Sequence, residues 1–138
     1  LAILGNYLDE MEASIDAVCL GTESSTEQIH RFVETVLSQP AEQRALTRLA
    51  SQEMGQLSPI SRKKFDKLYH DKFIWKLKAI LQNGMERGEF RTLNAEVATW
   101  SLLGIMYPYF YPAHSGSRHI APETINEIVG IYLNGMTK

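Results

Sequence analysis

The sequence predicts an all-α fold, a six-helix bundle forming one domain over residues 1–138. Apolar residues recur at the three- and four-residue spacing of a helix in six successive segments, and no segment shows the strict alternation of a strand. The length of 138 residues favours a single domain. A chain of this size buries about two-thirds of its surface on folding, which is enough for an independent core.

The first two helices are joined by a short polar segment. The apolar face of the first helix comprises Leu4, Leu8, Met11, Ile15 and Val18. Ser24 and Ser25 are candidate N-caps of the second helix, because Glu27 and Gln28 follow them at capping-box spacing. The second helix ends before Pro40, and its apolar stripe comprises Ile29, Phe32, Val33, Val36 and Leu37.

The third and fourth helices are separated near Pro59. The third begins at Pro40, and its stripe comprises Leu46, Leu49, Ala50 and Glu53. Ser58 or Ser61 caps a long fourth helix, which at about 27 residues would measure about 40 Å. Its apolar face comprises Phe65, Leu68, Tyr69, Phe73, Leu77, Ile80 and Gly84. Gly88 suits the left-handed position that ends this helix.

The last two helices are the most apolar. The fifth follows its N-cap Asn94 and is apolar on every face from Val97 to Tyr111. The sixth opens at Pro122, behind Ala121, where Ser or Thr would cap better. Its apolar stripe comprises Ile125, Ile128, Val129, Tyr132, Leu133 and Met136.

Apolarity around the whole circumference implies that the fifth helix is buried on both sides. It is either the central helix of a monomer or a helix whose second side contacts another chain. We expect the second arrangement, in which helices five and six pair with their copies across a two-fold axis as a four-helix dimer interface. The expected interface residues are Ile105, Met106, Tyr109, Ile125, Ile128, Val129, Tyr132 and Leu133.

Composition and charge argue against several classes of protein. Fourteen Lys and Arg face sixteen Asp and Glu, a net charge of −2, whereas a dedicated nucleic-acid binder is usually basic. Residues 62–78 are locally basic, which we interpret as a solvated helix face rather than a phosphate-binding patch. The single cysteine, Cys19, excludes an internal disulfide, and we find neither a signal peptide nor an apolar run that could span a membrane. Because the chain begins with Leu1 rather than Met, we interpret it as a fragment or a processed piece.

No catalytic site, metal site or cofactor is expected. Glu27 and His30 match the Glu-x-x-His spacing of di-iron bundles, but such a site needs two of these pairs. His114 and His119 are interpreted as surface residues of a loop. Cys19 has no recognisable partner base, and no nucleophile or phosphate-loop motif occurs, so we do not expect an enzyme.

Two stretches resemble a known family. The run Gly84-Met85-Glu86-Arg87-Gly88-Glu89-Phe90-Arg91, followed by Asn94 to Ala98 and Leu102-Leu103-Gly104, resembles the C-terminal regulatory domain of tetracycline-repressor (TetR) transcription factors. Pro122-Glu123 and Leu133-Asn134-Gly135-Met136 resemble the family's closing helix. The resemblance implies a cytoplasmic homodimer built by the last two helices. It also implies an N-terminal helix-turn-helix module, absent from this sequence, through which alone DNA would be bound.

The same resemblance implies a pocket for a small, largely apolar or aromatic effector, which would shift the long fourth helix and change the spacing of the DNA-binding modules. Glu53 would be a polar anchor there, since a charge on an apolar stripe is costly unless paired. Alternatively, Glu53 lies at the edge of the stripe or is neutralised by a neighbouring Arg or Tyr, and the other residues are simply core. The candidate pocket residues are Phe32, Val36, Leu49, Glu53, Tyr69, Phe73, Leu77, Trp100, Leu103 and Tyr107. A second hypothesis is a helical protein-interaction module without a small-molecule ligand.

Overall fold

The fold is all-α, as predicted, in a computed structural model that describes residues 2–38, 45, 48–49, 52–110 and 120–137. No strand occurs in these ranges. The helices are α1 (Ala2–Val18), α2 (Ser25–Leu37), α3 (Pro59–Tyr69), α4 (Trp75–Glu86), α5 (Ala95–Met106) and α6 (Pro122–Met136). A π-helical turn (His70–Ile74) joins α3 to α4, and a 3₁₀ turn (Tyr107–Phe110) extends α5. Most of the predicted third helix lies outside the described residues; residues 45, 48–49 and 52–54 are helical.

Helix starts follow the capping chemistry of the sequence. The side chain of Ser24 accepts a hydrogen bond from the backbone of α2 at 3.3 Å, and that of Ser58 from the backbone of α3 at 3.2 Å. Asn94 does the same for α5 at 3.1 Å. Helix α6 begins after Ala121 without any side-chain cap. Of the two candidates for each cap, Ser24 rather than Ser25 caps α2, and Ser58 rather than Ser61 caps the long helix.

The predicted long fourth helix is present but is not uniform. The backbone N–H of Trp75 bonds the carbonyl of His70, five residues back, instead of the residue four back. Such π turns are rare and insert an extra residue into a helix. The turn places Phe73 and Ile74 in the core and leaves Trp75 exposed at the surface.

Acidic residues of α1 are matched to lysines of the long helix. Lys72 pairs with Asp9 at 3.1 Å, and Lys76 pairs with Glu12 at 3.2 Å and with Asp16 at 2.8 Å. These contacts place three acidic residues of α1 beside lysines of the locally basic segment 62–78. They tie α1 to the π turn and to the first turn of α4.

The turn that follows α4 caps the N-terminus of α2. Gly88 takes a left-handed backbone with a φ of 80°. A Cβ on Gly84 would overlap the ring of Phe90, so only glycine lets this ring pack onto the helix. The Glu89 carboxylate accepts hydrogen bonds from the Ser24 hydroxyl at 2.9 Å and from the backbone N–H groups of residues 25 and 26 at 3.1 and 3.2 Å. The Arg87 guanidinium lies 3.1 Å from the same carboxylate and donates to the Ser25 hydroxyl at 2.7 Å.

Burial of Glu89 favours its neutral form, but the hydrogen bonds from Ser25, Ser24 and Thr26 and the positive charge of Arg87 outweigh it. The pKa of this carboxyl group is therefore held below its ordinary value. A carboxylate also interacts favourably with the positive end of a helix dipole. Glu89 thus joins the end of α4 to the start of α2, more than sixty residues away in sequence.

Candidate functional site

A row of aromatic rings crosses the π turn between the long helix and α2. Phe65 and Tyr69 have ring centroids 6.0 Å apart, and Tyr69 and Phe73 stack at 5.6 Å with an interplanar angle of 2°. Phe73 continues to Phe32 of α2 at 5.8 Å. Aromatic pairs at these separations contribute about 0.5–1.5 kcal/mol each beyond their area burial. We call these four residues the aromatic row.

Two tyrosine hydroxyls lie at the α3 end of this row. Tyr7 of α1 and Tyr69 of α3 both pack against a small apolar cluster formed by Leu8 and Phe65. Burial, with a contribution from the Tyr107 hydroxyl, raises the pKa of Tyr7 to about 12. Burial, with a contribution from Tyr7, also raises the pKa of Tyr69. Both phenols therefore stay neutral at any physiological pH.

The structure brings together only part of the candidate pocket. Four of its residues are buried in the core around the aromatic row, namely Phe32, Val36, Phe73 and Leu77. Tyr69 and Leu103 are half-buried against that core, and Glu53 is also half-buried. Leu49 and Tyr107 have exposed side chains. Tyr7, which the sequence analysis did not include, carries no pattern that separates it from an ordinary core residue of α1.

Trp100 does not belong with these residues. It is 48% exposed, and its indole N–H donates to Glu96 one turn earlier on the outside of α5, at 3.2 Å. Glu96 in turn pairs with Lys78 of α4 at 3.1 Å. The placement of Trp100 in the pocket is corrected accordingly. Trp100 is two residues before the buried Leu102, so the two side chains lie on different sides of α5.

The structure speaks against five of the eight expected interface residues, and the other three stay a prediction. Five of the eight are buried inside the protomer: Met106, Ile125, Ile128, Val129 and Tyr132. The Tyr132 hydroxyl donates to the carbonyl of Ala98 at 2.8 Å, which fastens α6 to α5 within one chain. Ile105, Tyr109 and Leu133 are half-buried against the same core. The apolar stripe of α6 is therefore used within the chain, and side chains buried there cannot form an exposed surface.

The exposed apolar side of α5 carries different residues. Val97 is 62% exposed, Trp100 48% and Tyr107 40%, and Gly104 lies between them with open space above its Cα. Positions 97, 100, 104 and 107 fall on one side of a helix because they are three and four residues apart. Ile131 of α6 is 66% exposed. We call Val97, Trp100, Gly104, Tyr107 and Ile131 the outer apolar residues.

The prediction that the fifth helix is buried on its first side is confirmed, since Ala98, Leu102 and Met106 line its core side, whereas burial of the second side against another chain stays a prediction. The sequence analysis missed Val97 and Ile131 as surface residues. Val97 was recognisable as one position of the apolar side opposite Leu102, whereas Ile131 lies between Gly130 and Tyr132, off the predicted apolar stripe of α6.

The described residues contain no group of three or more His, Cys, Asp and Glu that could hold a metal ion. Within the same ranges, no helix has both the length and the apolar character needed to cross a membrane. What this region offers is packed apolar and aromatic side chains beside two neutral hydroxyl groups. That combination is typical of a site that binds a small molecule.

Comparison with known proteins identifies relatives in fold. A family model described as "Tetracyclin repressor-like, C-terminal domain" matches residues 22–108. The structure is similar to a bacterial regulatory protein in the tetR family from Rhodococcus RHA1, with a TM-score of 0.80 and 18% identity over 99% of this chain and 71% of that one. It is also similar to the TetR family transcriptional regulator PfmR from Thermus thermophilus, with a TM-score of 0.75 and 24% identity over the same shares. No curated protein matches the sequence.

Proposed function

Because the chain belongs to the tetracycline-repressor family through its C-terminal domain, we propose that it senses a small, largely apolar effector and dimerises through α5 and α6. In a full-length regulator of this family, a helix-turn-helix module would precede α1 and would bind DNA. Effector binding would then change the arrangement of two such modules. This proposal rests above all on the outer apolar residues, which a working regulator is expected to cover.

The exposure of these residues supports a dimer. Single exposed apolar side chains are normal on proteins, but an apolar helix side that includes a tryptophan marks an interaction surface. A two-fold axis beside α5 would bring each Trp100 and Val97 onto the partner's α5 or α6, as in a four-helix bundle. Gly104 would let the two helices approach closely, because nothing in its own chain lies within 4 Å of its Cβ position.

The ion pairs of α1 support a route from the effector to the DNA-binding module. The aromatic row crosses the π turn, and Lys72 and Lys76 at this turn are bound to Asp9, Glu12 and Asp16 of α1. A ligand that prefers one arrangement of Phe73 would thereby prefer one position of α1. Such a ligand shifts the equilibrium only by the difference between its affinities for the two arrangements.

Sedimentation equilibrium tests the dimer. We expect the unmodified chain to sediment as a dimer and Ile131→Lys to sediment as a monomer, because a lysine would be desolvated in the interface. Ile60→Lys is the matched control, since Ile60 is 72% exposed on α3, which is not one of the two proposed interface helices, and this variant should remain dimeric. A monomeric unmodified chain would contradict the proposal and would favour a module that binds a different protein.

A thermal-shift screen with aromatic and fatty acyl compounds tests the effector site. A compound that binds only the folded state at one hundred times its Kd raises the free energy of unfolding by about 2.7 kcal/mol. We expect at least one class to raise the melting temperature. The absence of any shift across both classes would contradict effector binding while leaving the dimer untouched.

A further inference from the structure

The hydroxyls of Tyr7 and Tyr69 have no hydrogen-bond partner among the residues that the structure describes. Their rings pack against Leu8 and Phe65, with Met54 and Leu57 at the edge of the same cluster. Both side chains are half-buried, so water reaches them only in part, and an acceptor supplied by a ligand would pair hydroxyls that no described residue pairs. Tyr132 is the contrasting case, because its hydroxyl donates to the Ala98 carbonyl at 2.8 Å.

The ring of Tyr69 is held on both sides. Phe65 lies 6.0 Å from it and Phe73 stacks on it at 5.6 Å. These two neighbours fix the position of the ring. Tyr7 of α1 packs against the same cluster, and its hydroxyl is close enough to contribute to the raised pKa of Tyr69.

The chemistry of the two hydroxyls restricts what they can bind. Because burial raises the pKa of both groups, each keeps its proton and offers one O–H donor. The lysines of the adjacent π turn and α4 are already engaged, Lys72 with Asp9 and Lys76 with Glu12 and Asp16. An ionised ligand group would lose its hydration at this cluster without gaining either of these cations, which is unfavourable.

We propose that Tyr7 and Tyr69 together donate hydrogen bonds to an uncharged acceptor, such as a ketone or ester carbonyl, at the polar end of an otherwise apolar effector. A carbonyl oxygen has two lone pairs and accepts from two donors. The apolar body of the ligand would lie along the aromatic row. The inference rests on the effector-binding function proposed above and specifies the ligand's polar group.

Three probes with the same phenylethyl body test the proposal by isothermal titration calorimetry. They are 4-phenyl-2-butanone, which carries a carbonyl, butylbenzene, which carries none, and 3-phenylpropanoate, which carries a charge. We expect the ketone to bind about thirtyfold more tightly than butylbenzene, the gain of two net hydrogen bonds of about 1 kcal/mol each. The carboxylate is expected to bind most weakly of the three.

Tyr69→Phe should lower the affinity for the ketone about fivefold and leave the affinity for butylbenzene unchanged, and Tyr7→Phe should do the same. Because Tyr69→Phe removes a hydroxyl that lacks a described partner, this variant should also keep or raise the melting temperature of the free protein. Tyr132→Phe is the matched control. It removes a hydroxyl that has a partner, so it should lower the melting temperature and leave the ketone-to-butylbenzene ratio unchanged.

The outcomes separate this inference from the function on which it rests. Equal binding of the ketone and butylbenzene, or a ketone preference that neither Tyr69→Phe nor Tyr7→Phe reduces, would overturn the carbonyl proposal and leave an apolar effector site. Tightest binding of the carboxylate would overturn it as well. If none of the three probes binds, the carbonyl proposal fails, and effector binding itself fails only if the broader thermal-shift screen is also negative.

Discussion

The Glu89 contact with the start of α2 gives the most direct prediction about stability. In the unmodified chain, three donors of α2 and its cap share the two carboxylate oxygens of Glu89. One oxygen accepts from the Ser24 hydroxyl and the Thr26 N–H, and the other accepts from the Ser25 N–H. In Glu89→Gln, the amide offers these donors only one oxygen, and its NH₂ group cannot accept. Whichever oxygen is kept, at least one backbone N–H of α2 loses its acceptor.

An orphaned donor costs about 1–3 kcal/mol when buried. The Glu89 side chain is 25% exposed, so water replaces part of the loss. We therefore expect Glu89→Gln to lower the free energy of unfolding by about 1–2 kcal/mol, at the lower end of the range for an orphaned donor. For a chain of this size, each kcal/mol lost lowers the melting temperature by roughly 3–5 °C.

The effect should depend on pH. Because the pKa of Glu89 is lower in the folded protein than in the unfolded chain, its charge stabilises the fold above the ordinary glutamate pKa of about 4.3. That contribution is lost as the pH falls through the lowered value. The difference between the unmodified chain and Glu89→Gln should therefore be constant near pH 7 and shrink below about pH 4.3.

Urea unfolding at fixed protein concentration measures this difference. Glu86→Gln is the control, because Glu86 is exposed one turn earlier and makes no ion pair with a described residue, so its effect should stay within about 0.5 kcal/mol. Equal stability of the two variants at pH 7 would refute the reasoning, as would a difference that grows in acid.

Three further substitutions should change the free energy of unfolding in predictable directions, each measured by urea unfolding. Gly84→Ala should lower it by about 1–3 kcal/mol, because the added Cβ overlaps the packed ring of Phe90; unchanged stability would contradict that packing. Gly5→Ala, in α1 with nothing within 4 Å of its Cβ position, should instead raise it by about 0.5–1 kcal/mol, and a loss would show that the site is not open. Ala121→Ser should raise it by about 0.5–1 kcal/mol by supplying the side-chain cap that α6 lacks, and unchanged stability would contradict the role of this position as the N-cap.

Features decided by neighbouring residues were predictable from the sequence. The caps Ser24, Ser58 and Asn94 and the left-handed Gly88 are such features, because their chemistry acts within one helical turn. The contact of Glu89 with α2 was not predictable. Its partners lie more than sixty residues away, and the motif that contains it showed only that a helix ends there.

The π turn was also not predictable. The apolar spacing around Phe73 suits an α-helix, and the extra residue is accommodated because Phe73 and Ile74 both find places in the core. A stripe such as that of α6 predicts burial but does not specify the partner. The sequence analysis assigned Ile128 and Val129 to another protomer, whereas α2 and α5 of the same chain bury them. The excess of apolar residues on α5 leaves a second side exposed in this chain, and its coverage by a copy of the chain remains a prediction.

Oxidative cross-linking at Gly104 tests the central claim that the outer apolar residues face a second copy of this chain. In a Cys19→Ser background, Gly104→Cys should form a disulfide-linked dimer, because a two-fold axis at α5 brings the two positions together, whereas Ile60→Cys should not. A disulfide requires Cα atoms within about 7 Å of each other. A Gly104→Cys protein that forms no disulfide-linked dimer under oxidation, or one that forms it no faster than Ile60→Cys, would contradict the account.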